Sequence, residues 1–131
     1  MAEKKVLKRK KKSSIRSVPT GNAYIQASYN NTLITFTDPK GDAIAMASAG
    51  QCGFKGPKKS TPYAAGVIVT KAAEQAKPYG LKEVNVFVKG IGSGREASVR
   101  AINANGIIVL SVKDTTPIPH NGCRAKKSRR V

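Results

Sequence analysis

The chain has 131 residues with 24 Lys and Arg against 7 Asp and Glu, a net charge of +17. This length suits one domain, and the charge favours a polyanionic partner. Nucleic acid is favoured over an anionic membrane, because the basic runs lack the large apolar residues of a membrane-binding helix. No apolar stretch is long enough to span a membrane, and no apolar region follows the basic N-terminus, so we expect neither a transmembrane segment nor a secretory signal.

The two cysteines, Cys52 and Cys123, lie far apart in the sequence. Without a secretion signal they are expected to be reduced thiols in the cytosol. Aromatic residues make up 5% of the chain and Trp is absent. This composition argues against binding single strands chiefly by base stacking.

Residues 1–18 form a basic arm that holds eight of the 24 basic residues, with Glu3 as the only acid. A block of like charges repels itself and stays unfolded until it is neutralised, so an arm that binds RNA or DNA is predicted. The alternative is a tail that only improves solubility. The candidate contacts are Lys8, Arg9, Lys10, Lys11, Lys12 and Arg16.

Residues 22–48 predict three antiparallel strands. Ala23, Ile25, Ala27 and Tyr29 alternate with polar or smaller partners, which is typical of a strand. Asn30-Asn31 is predicted to turn the first hairpin, because Asn tolerates positive φ. Residues 38–41, Asp-Pro-Lys-Gly, predict the second turn. The three strands are expected over 22–30, 32–37 and 43–48.

The next segment, GQCGFKGPKKS (50–60), is a basic glycine-rich loop with three lysines and no acid. Thr61-Pro62 follows as an N-cap and a proline at the first helical position. The helix is expected to continue to about Lys77 and to stop before Pro78. The candidate anion contacts in this loop are Lys55, Lys58, Lys59 and Ser60.

Residues 84–100, VNVFVKGIGSGREASVR, combine a strand, a glycine loop and a helix start. Ser93 and Glu96 have the spacing of a capping box, and the helix is expected over about 94–104. Glycines let the backbone approach a phosphate closely, and helix N-termini attract anions. Arg95 is unfavourable for the helix dipole in this first turn, which suggests an anionic partner. The candidate contacts are Lys89, Gly90, Gly92, Ser93, Gly94 and Arg95.

The C-terminal part begins after Asn105-Gly106, which is predicted to end the second helix. Residues 107–112 form a near-continuous apolar run, as expected for a strand covered on both faces. The tail, 115–131, has five basic residues and no acid, and Pro117 and Pro119 stiffen it. A shaped RNA contact is therefore predicted. Its candidate residues are His120, Asn121, Arg124, Lys126, Lys127, Arg129 and Arg130.

The element order β-β-β-α-β-α-β predicts an α/β fold with a single globular domain over residues 19–114. Right-handed crossovers make the late strands parallel, so the simplest sheet is mixed, with five strands in the order 3-2-1-4-5 and two helices against it. This arrangement resembles the ribonuclease-H-like layout. The basic extensions, 1–18 and 115–131, hold 13 of the 24 basic residues.

Features of this chain also suggest three other functions. A nuclease of this layout needs clustered carboxylates that hold two metal ions, and the first strand contains no acid. A dinucleotide site is suggested by Gly90, Gly92 and Gly94 with Asp114 downstream, but Arg95 stands where the fingerprint needs a small residue. A histone-like DNA binder would share the charge, although shape and 2′-hydroxyl contacts would favour RNA.

Three motifs resemble the family of small-subunit ribosomal protein S-eleven: GFKGPKKSTPYAA (53–65), VKGIGSGREA (88–97) and TPIPHNGCRAKKSRRV (116–131). The resemblance spans residues 20–131, and its compact form with a short arm looks bacterial or organellar. Met46 stands where the family usually has Trp. Ile91 and Ala125 stand where Pro is common.

The resemblance implies a structural constituent of the small ribosomal subunit, without catalysis, cofactor or metal. It implies binding to central-domain ribosomal RNA, in the platform near the messenger exit path. The expected partners are ribosomal RNA, neighbouring small-subunit proteins and messenger RNA at the exit path. The expected location is the cytoplasmic ribosome.

Overall fold

The computed structural model describes residues 17–56 and 61–130. Within these ranges it has five strands, two α-helices and one short 3-10 helix over Lys77–Tyr79. The strands and helices are β1 (Thr20–Ala27), β2 (Thr32–Thr37), β3 (Ala43–Ser48), α1 (Pro62–Ala76), β4 (Glu83–Lys89), α2 (Gly94–Ala104) and β5 (Ile108–Asp114). They build one sheet in the order β3-β2-β1-β4-β5, which confirms the predicted mixed α/β layout.

The pairing of the strands decides where the loops meet. β1, β2 and β3 pair antiparallel, whereas β4 pairs parallel with β1 and β5 pairs parallel with β4. The ends of β1, β4 and β5, at Ala27, Lys89 and Asp114, therefore lie at one edge of the sheet, here called the carboxyl edge. Loops that leave this edge are the usual place for binding sites in α/β sheets.

Both helices pack on one face of the sheet, where alternate strand residues form a single core with them. The largest fully buried side chains include Phe36, Ile25, Ile34, Ile68 and Ile102. Burying one side chain of this size contributes roughly 1.5–3 kcal/mol. The alanines of α1 let the helix lie close to the strands; those that are buried are Ala64, Ala65, Ala72, Ala73 and Ala76. The strand periodicity thus produces one helix-covered face.

The first hairpin forms as predicted, but its turn differs. The Ser28 N–H donates to the Asn31 carbonyl at 2.8 Å, so the turn centres on Tyr29 and Asn30 rather than on Asn30-Asn31. Among the described non-glycine residues only Asn121 has a positive φ. The prediction of a positive φ at Asn30-Asn31 was therefore wrong. The turn is held by side chains, because Ser28 Oγ accepts from the Asn31 N–H at 3.1 Å and Asn31 Oδ1 accepts from the Thr32 N–H at 2.9 Å.

The last strand also differs from the prediction. β5 is the outermost strand of the sheet, next to β4, and Ile108, Leu110 and Val112 are each at least half exposed. The expectation that this strand is covered on both faces was therefore wrong. The physical reason is its place beside β4 alone, with Leu110 forming a bulge where the register shifts between Val84 and Asn85. An apolar run marks a strand but does not say how much of it is covered.

None of the helices within 17–56 and 61–130 is long and apolar enough to cross a membrane. Cys52 and Cys123 are both free thiols in the structure.

Candidate nucleic-acid interface

The carboxyl edge brings the glycine loop after β4 and the start of the C-terminal tail together. The Thr115 N–H donates to the Val88 carbonyl at 2.8 Å, and the Gly90 N–H donates to Thr116 Oγ1 at 3.1 Å. The tail therefore begins beside the glycine loop, although 26 residues separate Gly90 from Thr116 in the chain. The sequence predicts loop and tail as separate contacts, whereas the structure joins them.

The glycines of this loop are needed for packing. Gly90 has φ +101°, and a Cβ on it would overlap the Ala27 carbonyl oxygen. A Cβ on Gly92 would overlap the Ser28 carbonyl oxygen, and the Gly92 N–H donates to the Ala27 carbonyl at 2.9 Å. The amides of Gly90 and Gly92 are thus hydrogen-bonded within the protein. A phosphate contact at this loop stays a prediction, and these two amides do not supply it in this conformation.

Arg95 has protein partners that the sequence analysis missed. Its Nη1 donates to the Gly90 carbonyl at 2.5 Å, and its Nη2 donates to Asp114 Oδ2 at 2.8 Å. The other oxygen of Asp114 accepts from the Thr116 hydroxyl at 2.6 Å and from the Thr116 N–H at 2.9 Å. We call Gly90, Arg95, Asp114 and Thr116 the tail latch. It ties the glycine loop, α2, β5 and the tail to one another.

The latch explains why an arginine is tolerated in the first turn of α2. The carboxylate of Asp114 offsets the unfavourable helix dipole, so no external anion is required there. The Thr116 hydroxyl, then Arg95 and the Thr116 amide, hold the pKa of Asp114 well below its usual range. Asp114 therefore stays ionised, and the ion pair persists, throughout the neutral range. One sequence feature could have indicated the pair of Arg95 and Asp114. Asp114 is the last residue of β5, the parallel neighbour of β4, so it ends beside the glycine loop.

The predicted capping box at the start of α2 was wrong. Ser93 is helical, with φ −66° and ψ −15°, and its side chain makes no capping hydrogen bond. An N-cap side chain reaches the helix amides from an extended backbone, which the tightly packed loop does not give Ser93. Glu96 instead pairs with Arg100 at 3.6 Å, as expected for residues four apart.

The start of α1 agrees with the prediction. Thr61 Oγ1 accepts from the Ala64 N–H at 3.2 Å, and Pro62 occupies the first turn. Lys55 is exposed in the preceding loop. The predicted contacts Lys58, Lys59 and Ser60 lie outside the described residues, and so do Lys8, Arg9, Lys10, Lys11, Lys12 and Arg16 of the arm.

The tail beyond the latch is exposed and has no helix or strand over 117–130. Asn121 has φ +61°, a left-handed backbone conformation that bends the tail at Asn121-Gly122. Within residues 17–56 and 61–130, the hydrogen bonds that fasten the tail to the end of β4 and the glycine loop are those of Thr115 and Thr116, at the start of the tail. The candidate contacts on this exposed segment are His120, Asn121, Arg124, Lys126, Lys127, Arg129 and Arg130.

The alternative functions lose support at the same edge. Within the described part of the chain no three His, Cys, Asp or Glu side chains group together as metal ligands. Asp114, the residue that a dinucleotide site would need, is bound to Arg95 and Thr116. Fold and site thus define a basic α/β protein whose glycine loop and C-terminal extension meet at the carboxyl edge of its sheet.

Comparison with known proteins identifies the family. The model of the family "Ribosomal protein S11" matches residues 21–130. The small ribosomal subunit protein uS11 of Desulfovibrio desulfuricans is 57% identical, over 98% of this chain and 97% of the relative. Those of Nitratidesulfovibrio vulgaris and Lawsonia intracellularis are 54% and 56% identical, over 98% and 92% of this chain and 97% and 94% of the relatives. The chain belongs to the ribosomal protein S11 family.

Membership confirms the resemblance seen in the three sequence motifs. It makes the chain a ribosomal protein, a structural component of the ribosome rather than an enzyme.

Proposed function

We propose that the chain is a constituent of the small subunit of the cytoplasmic ribosome that binds ribosomal RNA of the central domain. There it helps to form the platform near the messenger exit path, beside other small-subunit proteins and the messenger RNA. One observation carries the RNA-binding part of this proposal: the tail latch fastens a basic extension to the glycine loop at the carboxyl edge. The names of the relatives support the subunit.

The distribution of charge supports RNA as the partner. The arm and tail together carry 13 of the 24 basic residues, so the charge is concentrated in extensions on a less basic globule. Extensions of this kind neutralise phosphates that a compact domain cannot reach. Lys55 and Lys89, both exposed, extend the positive surface onto the globule.

The latch lets the tail contribute to RNA recognition through its position as well as through its charge. Because Thr115 and Thr116 are hydrogen-bonded to Val88 and Gly90, the tail leaves the domain from a fixed point. Pro117 and Pro119 then restrict its path, so part of the ordering cost of binding is already met. The arginines Arg124, Arg129 and Arg130 can each bind phosphate bidentately. We therefore expect the tail to recognise shape, whereas the lysine-rich arm adds affinity for any polyanion.

Two truncations test this division. Deletion of residues 117–131 keeps the latch intact and should lower the ratio of affinities for small-subunit ribosomal RNA over random RNA. Deletion of residues 1–16 should flatten the salt dependence of binding and leave that ratio nearly unchanged. Replacing both Pro117 and Pro119 by Ala is the charge-matched control, because it removes stiffness alone and should lower the ratio in part. Each affinity is measured at several salt concentrations, with the other small-subunit proteins present.

The proposal fails if the full chain shows no preference for small-subunit ribosomal RNA. The shaped-tail mechanism alone fails if deletion of residues 117–131 lowers both affinities by one common factor.

A further inference from the structure

The sheet face opposite the helices carries an organised set of side chains. Strand pairing places Met46, Thr35, Tyr24, Phe87 and Lys113 in one row across all five strands. None of the described helices packs on this side, where Tyr24 is 39% and Met46 56% exposed. We call this side the open face.

Two aromatic rings stand at the centre of that row. Tyr24 and Phe87 are register partners on the parallel strands β1 and β4, and their rings stack with centroids 5.2 Å apart and planes 15° from parallel. The low aromatic content of the chain predicted little stacking capacity. The fold nevertheless brings two of its few aromatic residues together on an accessible surface, where a third ring can extend the stack.

A shallow recess of about 240 Å³ lies one row closer to the carboxyl edge. Gln26 pairs with Leu33 on β2 and with Lys89 on β4, and all three line the recess with Ala27, Ser28 and Gly90. Leu33 offers an apolar surface, the amide of Gln26 offers both a donor and an acceptor, and Lys89 offers a positive charge. A nucleotide presents the same three chemistries: a base plane, a base edge and a phosphate.

The charges around the open face favour an anionic occupant, and its continuity with the tail latch favours RNA over an acidic protein. Lys89 and Lys113 are the cations on this face, and they lie at the end of their strands next to the glycine loop. Glu83, the acid on this face, lies at the opposite end of β4. Because Gly90 belongs to both the recess and the tail latch, the open face is continuous with the RNA surface proposed above.

We propose that the open face binds an unpaired stretch of the small-subunit ribosomal RNA. One base sits in the recess against Gln26 and Leu33, and a neighbouring base stacks on the Tyr24–Phe87 pair. This inference rests on the proposed function, and it adds base recognition to a protein whose other expected contacts are to phosphates.

The test uses small subunits reconstituted with variants of the full chain. Tyr24→Leu keeps an apolar side chain but removes the ring, so it should compete with labelled wild type about tenfold less well, on the scale of one base–aromatic stack. Chemical probing should show bases that the wild type protects and Tyr24→Leu exposes. The salt dependence should stay unchanged, because no phosphate contact is removed. Gln26→Glu, which removes the amide donor, should expose a base of its own.

Matched variants keep the result interpretable. Tyr24→Phe retains the ring and should restore protection, which separates stacking from a folding defect. Tyr79→Leu makes the same chemical change in the 3-10 helix outside the open face and should compete like wild type.

The outcomes separate the two proposals. Wild-type base protection that is lost in Tyr24→Leu and restored in Tyr24→Phe supports the inference. Equal competition and unchanged protection in Tyr24→Leu overturn it while the proposed function stands. A photo-crosslinker at position 24 that captures a ribosomal protein and no RNA also overturns it, because the open face is then a protein interface. Failure of the wild type to protect any base overturns the proposed function as well.

Discussion

The two helices begin in different ways, although the sequence describes both starts alike. Each follows a basic glycine-containing loop and a hydroxyl residue, Thr61 before α1 and Ser93 before α2. Thr61 caps its helix through its side chain, and Ser93 does not. The start of α2 is instead positioned by glycines that pack on β1 and by the tail latch. Similar local sequences thus reach the same element through local bonds in one case and tertiary contacts in the other.

Because tertiary contacts position the start of α2, we expect a substitution in the glycine loop to cause the largest loss of stability. Gly90→Ala should lower the free energy of unfolding by at least about 3 kcal/mol, because it combines a positive φ with overlap of the Ala27 carbonyl. Gly66→Ala is the matched control in α1, where an added Cβ meets nothing within 4 Å. It should raise stability by about 0.5–1 kcal/mol. Urea denaturation measures both, and a Gly90→Ala variant as stable as wild type would contradict the packing argument.

The second prediction concerns the latch. Arg95→Lys keeps the charge but cannot bond both the Gly90 carbonyl and Asp114, because an ammonium lacks the planar fork. Affinity for ribosomal RNA should fall about fivefold, equivalent to roughly 1 kcal/mol. Amide exchange at Gly90 and Thr116 should speed up in the free protein. If affinity falls while exchange stays as in wild type, Arg95 contacts RNA directly, as its sequence position first suggested.

The third prediction contrasts the two caps directly. Thr61→Ala should lower the free energy of unfolding by about 1 kcal/mol, since it removes the acceptor for the Ala64 N–H. Ser93→Ala should cost clearly less, because that side chain does not cap α2. Thermal unfolding of both variants gives the comparison. Equal losses would show that the two helix starts are equivalent after all.

The fourth prediction, the smallest in effect, uses pH. The pKa of Asp114 is lowered on folding, so its stabilising effect is present above the unfolded value of about 3.8 and is lost as the pH falls toward the folded value. Asp114→Asn should therefore be less stable than wild type by a constant amount from neutral pH to about pH 5. The difference should shrink as the pH falls below about 4. Glu74→Gln, which removes an exposed carboxylate on α1 outside the latch, should show a smaller difference at neutral pH. If Asp114→Asn is as stable as wild type at neutral pH, the latch adds no stability.

Much of the fold could be predicted because the relevant signals are local. Alternation at Ala23, Ile25 and Ala27 marks β1 and its buried face. Thr61-Pro62 marks the start of α1, and Gly106, with φ +83°, follows the end of α2. Each signal acts between residues a few positions apart, so it operates before the chain has a tertiary structure. The strand order followed from these elements and from the handedness of crossovers.

The wrong predictions depend on contacts between distant parts of the chain. The position of Arg95 in the first turn of its helix suggests an external anion, but its partner Asp114 is 19 residues away on another strand. The apolar run of β5 predicts a fully covered strand, but its place as the outermost strand of the sheet leaves Ile108 and Val112 exposed. Ser93 has the right spacing for a cap, yet the packing of the loop gives it the wrong backbone conformation.

By itself, the sequence determined the family, the element order and the concentration of charge in two extensions, because motifs, periodicity and charge are properties of the chain. Only the tertiary structure decided that the tail starts at the glycine loop, that Arg95 closes a latch and that Tyr24 stacks on Phe87. Those contacts depend on the register between β1, β4 and β5. Register is set by the joint burial of one face of the sheet under both helices, which no single segment specifies.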